Sequence, residues 1–126
     1  MRNVVITGVS TGIGWGTTKV LVSKGIHVFG SVRKTQDAER LSAEFGNAFT
    51  PLQFDITDEK AVYAAAHQVR QRLDGQTLFG LVNNAGIAVP GTLQHLPIAD
   101  YRLQLEVNLV GQLIVTQAFL SGVHSV

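Results

Sequence analysis

A chain of 126 residues and 13.6 kDa has room for one compact domain. Apolar residues make up 45% and charged residues 15%, with a mean hydropathy of +0.20, a folding composition. Ten Lys and Arg against nine Asp and Glu leave a net charge of +1 and no basic stripe, which argues against nucleic acid as a partner, and the absence of cysteine excludes disulfides, thiolate metal sites and a cysteine nucleophile. Unbroken apolar runs are only a few residues long, so no helix is expected to span a membrane. Met1 leads straight into Arg2-Asn3-Val4-Val5-Ile6, without the apolar region of a signal peptide. A soluble cytoplasmic protein with no membrane partner is the expectation.

The first element is a β-branched run, Val4-Val5-Ile6, stopped by Thr7-Gly8. Helical spacing follows from Ile13 to Lys24, with Gly25 placed as a C-cap. His27 to Val32 reads as a second strand, and Thr35 or Gln36 to Phe45 as a helix closed by Gly46-Asn47. Phe49 to Phe54 reads as a third strand, which Pro51 confines to a sheet edge. Asp58 to Leu73 is a helix with acids in its first turn and Arg70 and Arg72 in its last, as the macrodipole favours. Asp74-Gly75 turns the chain into a fourth strand, Leu78 to Val82; a loop and a long helix from about Ile98 to Leu120 complete the chain. Strands alternating with helices predict right-handed crossovers and a doubly wound parallel α/β sheet. Ligands bind such sheets beyond the carboxyl ends of the strands, here just after Ile6, Val32, Phe54 and Val82.

Thr7-Gly8-Val9-Ser10-Thr11-Gly12-Ile13-Gly14 joins the first strand to the first helix. Its spacing is Gly-x-x-x-Gly-x-Gly, and Ile13-Gly14 stands where a P-loop needs Lys-Ser/Thr. Glycines at Gly8, Gly12 and Gly14 let backbone N–H groups approach a pyrophosphate at a helix N-terminus, where the dipole favours negative charge. Ser10 either bonds a phosphate or caps the loop, and Thr11 and Ile13 complete the segment.

This loop resembles the cofactor loop of the short-chain dehydrogenase/reductase family. Asn83-Asn84-Ala85-Gly86 after the fourth strand resembles that family's second signature, Asp55 its adenine-contacting acid, and Val107-Asn108-Leu109 the segment with its catalytic-site asparagine. The resemblance covers the N-terminal half of such a protein. It implies a Rossmann-like fold, here a single truncated domain, residues 1–126, of about four strands with helices on both faces.

The resemblance also implies a nicotinamide dinucleotide. An acid at the end of the second strand would select NAD by its ribose hydroxyl, whereas a basic residue accommodates the 2′-phosphate of NADP. The sequence has Val32-Arg33-Lys34 there, and the next acid is Asp37. NADP(H) preference over NAD(H) is therefore predicted, with Arg33 the main contact and Lys34 a further one. Asp55 would accept from the adenine amino group while Ile56 packs the ring; the alternative use of an acid here, capping the third helix, suits Asp58 better. Asn83 and Asn84 either bridge strand ends or line the cofactor, and Ala85 and Gly86 leave room for a ribose.

Catalysis in the family uses a Tyr with Lys four residues later and an upstream Ser. The two tyrosines here, Tyr63 and Tyr101, are followed at that distance by His67 and Leu105, and the lysines at 19, 24, 34 and 60 all precede the fourth strand. The serine segment would begin near Ser121, where the chain stops at Val126. Asn108 is thus the family's one catalytic-site residue in this chain, and no dehydrogenase activity is expected of the chain alone. The four histidines, His27, His67, His95 and His124, have no metal-ligand spacing. Trp15 either covers a ligand or packs on a neighbour, Asp100-Tyr101-Arg102 opens a helix, and Leu93 to Pro97 borders the pocket in longer relatives.

The last helix carries two apolar stripes: Leu103, Val107, Val110, Ile114 and Ala118, then Leu105, Leu109, Leu113 and Leu120. A helix apolar on nearly every side expects burial all round, and the fourth strand has no successor to pair with, so a homo-oligomer burying helix 98–120 is predicted. A non-enzymatic oligomeric module that no longer binds nucleotide is the alternative to a cofactor-binding protein.

Overall fold

The computed structural model describes residues 2–87 and 94–120. Its order is β1 (Asn3–Ile6), α1 (Gly12–Ser23), β2 (His27–Val32), α2 (Thr35–Phe45), β3 (Phe49–Gln53), α3 (Glu59–Leu73), β4 (Gly80–Val82), α4 (Ile98–Leu105), a π-helical segment (Glu106–Gly111) and α5 (Gln112–Leu120). A short 3₁₀ turn, Gly46–Ala48, leads into β3. The four strands are parallel in the order β3-β2-β1-β4. The chain winds outward from β1 through β2 to β3, then returns to lay β4 on the other side of β1. That reversal opens a crevice at the carboxyl ends of β1 and β4.

β1 is buried along its whole length, as a β-branched run covered on both faces should be. Alternate residues serve two cores. Val4, Ile6, Val28, Val32, Leu41 and Phe49 pack with residues of α1 and α2 on one face. Val5, Phe29 and Leu52 pack on the other with Val62 and Val69 of α3 and Val115 and Phe119 of α5. The sheet is therefore doubly wound. Pro51 lies in edge strand β3, where a residue without an N–H is tolerated. β4 pairs with β1 alone among the described residues.

The long C-terminal helix differs from its sequence reading in two ways. It is interrupted by the π-helical segment at Glu106–Gly111, a one-residue widening invisible to a count of helical period. It also qualifies, by length and composition, as a membrane-spanning candidate over Ile98–Leu120, with a mean hydropathy of 1.2, which short unbroken runs did not suggest. Val107, Val115, Ala118 and Phe119 of this helix are buried in the α3-side core, as a helix packed on a sheet requires.

Asp58 is the N-cap of α3, its Oδ1 accepting a hydrogen bond from Ala61 N at 3.2 Å. Asp58→Ala should lower the unfolding free energy by about 1 kcal/mol, measured by urea denaturation.

Candidate functional site

The site begins with Thr7, whose side chain is fully buried at the end of β1. Its Oγ1 accepts hydrogen bonds from the backbone N–H groups of both Asn84 and Ala85, each at 3.0 Å. Asn84 Nδ2 answers by donating to Gly8 O at 2.8 Å. On the other side, Gly8 N donates to Ser31 Oγ at 2.9 Å and Val9 N to Ser31 O at 3.0 Å. The exits of β1, β2 and β4 are thereby locked together. Two glycines are dictated by this packing. A Cβ on Gly14 would lie 2.0 Å from Gly8 O, and Gly8 itself has φ +72° with a Cβ position 2.9 Å from Ala85 Cα. Gly12 differs: it has φ +65° and open space where a Cβ would be.

Between these exits lies a cleft of about 560 Å³, within the size range of small-molecule and cofactor sites. The glycine-loop residues Gly8, Ser10 and Thr11 form part of its wall, Arg33 and Lys34 another part, and Asp55, Ile56, Ala85 and Gly86 the rest of the predicted set. Gly12, Ile13 and Gly14 stand at the start of α1 outside the lining, with Ile13 80% exposed. Asn83 also lies outside it: its Nδ2 donates to Thr116 Oγ1 on α5 at 3.1 Å, and Asn84 takes the place in the wall. Thr11, the N-cap of α1, makes no side-chain capping bond, so the first N–H groups of that helix keep their capacity to bind an anion.

Asp55 Oδ1 accepts from Thr57 N at 2.9 Å and from Thr57 Oγ1 at 2.7 Å. These two bonds, with a smaller contribution from the Arg33 guanidinium, hold its pKa below the usual carboxylate value. It therefore stays an acceptor on the cleft wall. At the β2 exit, Arg33 and Lys34 are exposed and share the wall with Asp37 in the first turn of α2. Arg40 Nη2 donates to Ser10 O at 2.8 Å and pairs with Asp37 Oδ1 at 3.3 Å.

Asn108 sits in the π-helical segment with its side chain on Ile87: Oδ1 accepts from Ile87 N at 2.9 Å and Nδ2 donates to Ile87 O at 2.7 Å. Gln112 Nε2 donates to Ala85 O. Tyr63 and Tyr101 are exposed on α3 and α4 and do not line the cleft. Trp15 packs on the neighbouring helix, donating Nε1–H to Glu44 Oε1 at 3.0 Å. Leu93 and residues 121–126, with Ser121 and His124, lie outside the described residues.

The sequence reading missed Ser31, Asp37, Ile87 and Val107, all in the wall. Ser31 was the most findable: it is the one hydroxyl in β2, two positions before the strand's basic exit.

Asp55 should titrate below its ordinary value of 3.8 in a carboxyl ¹³C NMR titration, and Thr57→Val should move it upward. A lowered folded-state pKa means that its stabilising share is present above the ordinary value and is lost as pH falls through the folded one. Thr57→Val should shift that loss to higher pH.

The short chain dehydrogenase family profile matches residues 2–124. The NADPH-dependent 3-dehydrocapnine reductase of Ornithobacterium rhinotracheale is 43% identical over 120 residues, which span 95% of this chain and 42% of that reductase. A probable NADP-dependent dehydrogenase of Dichelobacter nodosus is 40% identical over 106 residues, covering 83% of this chain and 98% of that protein. The NADPH-bound carbonyl reductase from chicken fatty liver superposes with a TM-score of 0.88 at 30% identity, covering 97% of this chain and 48% of that structure. The chain thus spans about half the length of the carbonyl reductase and less than half that of the first reductase.

Proposed function

The chain belongs to the short-chain dehydrogenase family, and on that footing we propose that it is the NADP(H)-binding portion of an NAD(P)-dependent oxidoreductase, its 126 residues forming one dinucleotide-binding unit. The observation that carries this reading is the convergence of the glycine loop, Arg33, Asp55 and the 83–87 segment on one cleft at the strand exits. The residues fit the cofactor. The uncapped start of α1 suits a pyrophosphate, and Ala85 and Gly86 offer a wall with little side chain for a ribose. Asp55 is held as a carboxylate able to accept from an amino group, with Ile56 beside it as an apolar surface. When bound, the nicotinamide supplies or takes up the hydride. Arg33 and Lys34, with no acid at the β2 exit before Asp37, favour a 2′-phosphate. The names of two relatives, NADPH- and NADP-dependent, support the same preference.

Asn108 acts by holding Ile87, and so the floor of the cleft, in place. Within these 126 residues no tyrosine is followed by lysine at the family's spacing. Loss of general acid catalysis alone costs roughly a hundred- to ten-thousand-fold, so this chain by itself binds cofactor without turning over a carbonyl substrate.

The helix Ile98–Leu120 also supports self-association. Leu109 and Leu113 are 63% and 58% exposed, beside Leu105, Val110 and Leu120. Burial of each is worth about 1.5–3 kcal/mol, and a second copy would cover them. Sedimentation at micromolar concentration should show a dimer or higher oligomer, and Leu109→Lys with Leu113→Lys should shift it to monomer; a monomeric unmutated chain would exclude the idea.

Calorimetric titration should show NADPH binding at least tenfold tighter than NADH, the scale of one charge-assisted hydrogen bond. Arg33→Ala should remove most of that difference by weakening NADPH alone. Equal affinities in the unmutated protein would refute the preference, and binding of neither would favour the oligomeric module.

A further inference from the structure

The β2–α2 side of the cleft has an electrostatic inconsistency. Arg33 and Lys34 make it attractive to a phosphate, yet Asp37 lines the same wall with a carboxylate. A carboxylate there would repel a phosphate and could accept from a ribose hydroxyl, the opposite selectivity. Arg40 resolves the conflict. One of its guanidinium nitrogens, Nη2, reaches both Asp37 Oδ1 at 3.3 Å and the Ser10 carbonyl at 2.8 Å. It therefore pairs with the carboxylate and at the same time ties α2 to the glycine loop. Arg40 is itself absent from the lining, so it acts through Asp37 and Ser10.

We propose that Arg40 is a specificity-determining positioning residue, which by engaging Asp37 and Ser10 O silences the carboxylate at the β2 exit and lets the cleft favour a dinucleotide bearing a 2′-phosphate over one with a free hydroxyl. The inference rests on the cofactor reading above. It separates two duties of the same guanidinium. Tying the loop affects every dinucleotide alike. Silencing Asp37 affects only one that carries negative charge beside it.

The test is a set of equilibrium titrations of the full chain with NADPH and with NADH, in the unmutated protein, Arg40→Gln, Asp37→Asn and the double variant. Arg40→Gln should weaken NADPH about fivefold more than NADH, the size of an unmasked charge near the surface, the change in NADH reading the loop tie alone. Asp37→Asn added to Arg40→Gln should restore most of the lost NADPH affinity, because the repulsive group is gone. Both sites are on the surface of α2, and thermal unfolding without cofactor checks that the variants fold; Arg40→Lys, which keeps the charge, is a second variant and should retain most of the selectivity. Equal weakening of both cofactors by Arg40→Gln, or failure of Asp37→Asn to restore NADPH binding, would overturn this inference while leaving the cofactor reading intact. Binding of neither cofactor to the unmutated chain would overturn both.

Discussion

The site depends on one buried hydroxyl. Thr7 Oγ1 takes the N–H groups of Asn84 and Ala85, at the point where β4 ends and neither would otherwise have a ladder partner. Leaving a buried N–H unsatisfied costs about 1–3 kcal/mol, so the pair commits the 83–87 segment to a path directly beside the glycine loop. Threonine suits the position because it is β-branched, hence compatible with a strand, and carries its oxygen at the γ position. The remaining constraints follow from that proximity. With Ala85 so close, Gly8 has no space for a side chain, and with Gly8 O so close, neither does Gly14. The glycine spacing is thus set as much by the loop packing on itself as by anything it binds.

Parts of this arrangement could be read from the residues alone. A β-branched run before a glycine-rich turn, Pro51 at an edge and Asp58 ahead of an acidic first turn are local signals, each fixed by backbone chemistry. The roles of neighbouring asparagines could not be separated in this way. Asn83 and Asn84 are equivalent in any motif, but successive side chains leave a strand exit on opposite sides. One meets α5 and the other the glycine loop. Ser31 stands out in the sequence as a hydroxyl, but its role does not, because its partner, Gly8 N, is 23 residues away. The π-helical segment was hidden because its apolar pattern is compatible with an ordinary helix on either side.

Charge in the cleft is arranged by hydrogen bonding more than by the count of ionised groups. Asp55 and Asp37 both face it, but each is occupied differently. Asp55 is engaged by Thr57, a neutral donor that strengthens its anionic form and leaves its charge in place. Asp37 is paired with a cation, the Arg40 guanidinium, at 3.3 Å. The two carboxylates of one cleft are therefore partnered differently, by a neutral donor on the β3 side and by a cation on the β2 side. Net composition, close to zero, conceals this polarity.

The long C-terminal helix connects the site to the exposed apolar surface. Its sequence reads as apolar on nearly every side, but Asn108, Gln112 and Thr116 form a polar stripe at intervals of four. These three side chains bond in turn to Ile87, Ala85 and Asn83, so one helix face holds the whole 83–87 segment from behind. Thr7 and Asn84 hold the same segment from the front. The cleft wall is therefore a short strip of backbone clamped between β1 and a helix whose adjacent face carries Leu109 and Leu113 in the open. Hydrogen bonds of this kind are only as rigid as the helix that presents them. Burial of Leu109 and Leu113 would also restrain the polar stripe beside them, so the self-association proposed above would be coupled to the geometry of the cleft through a single helix.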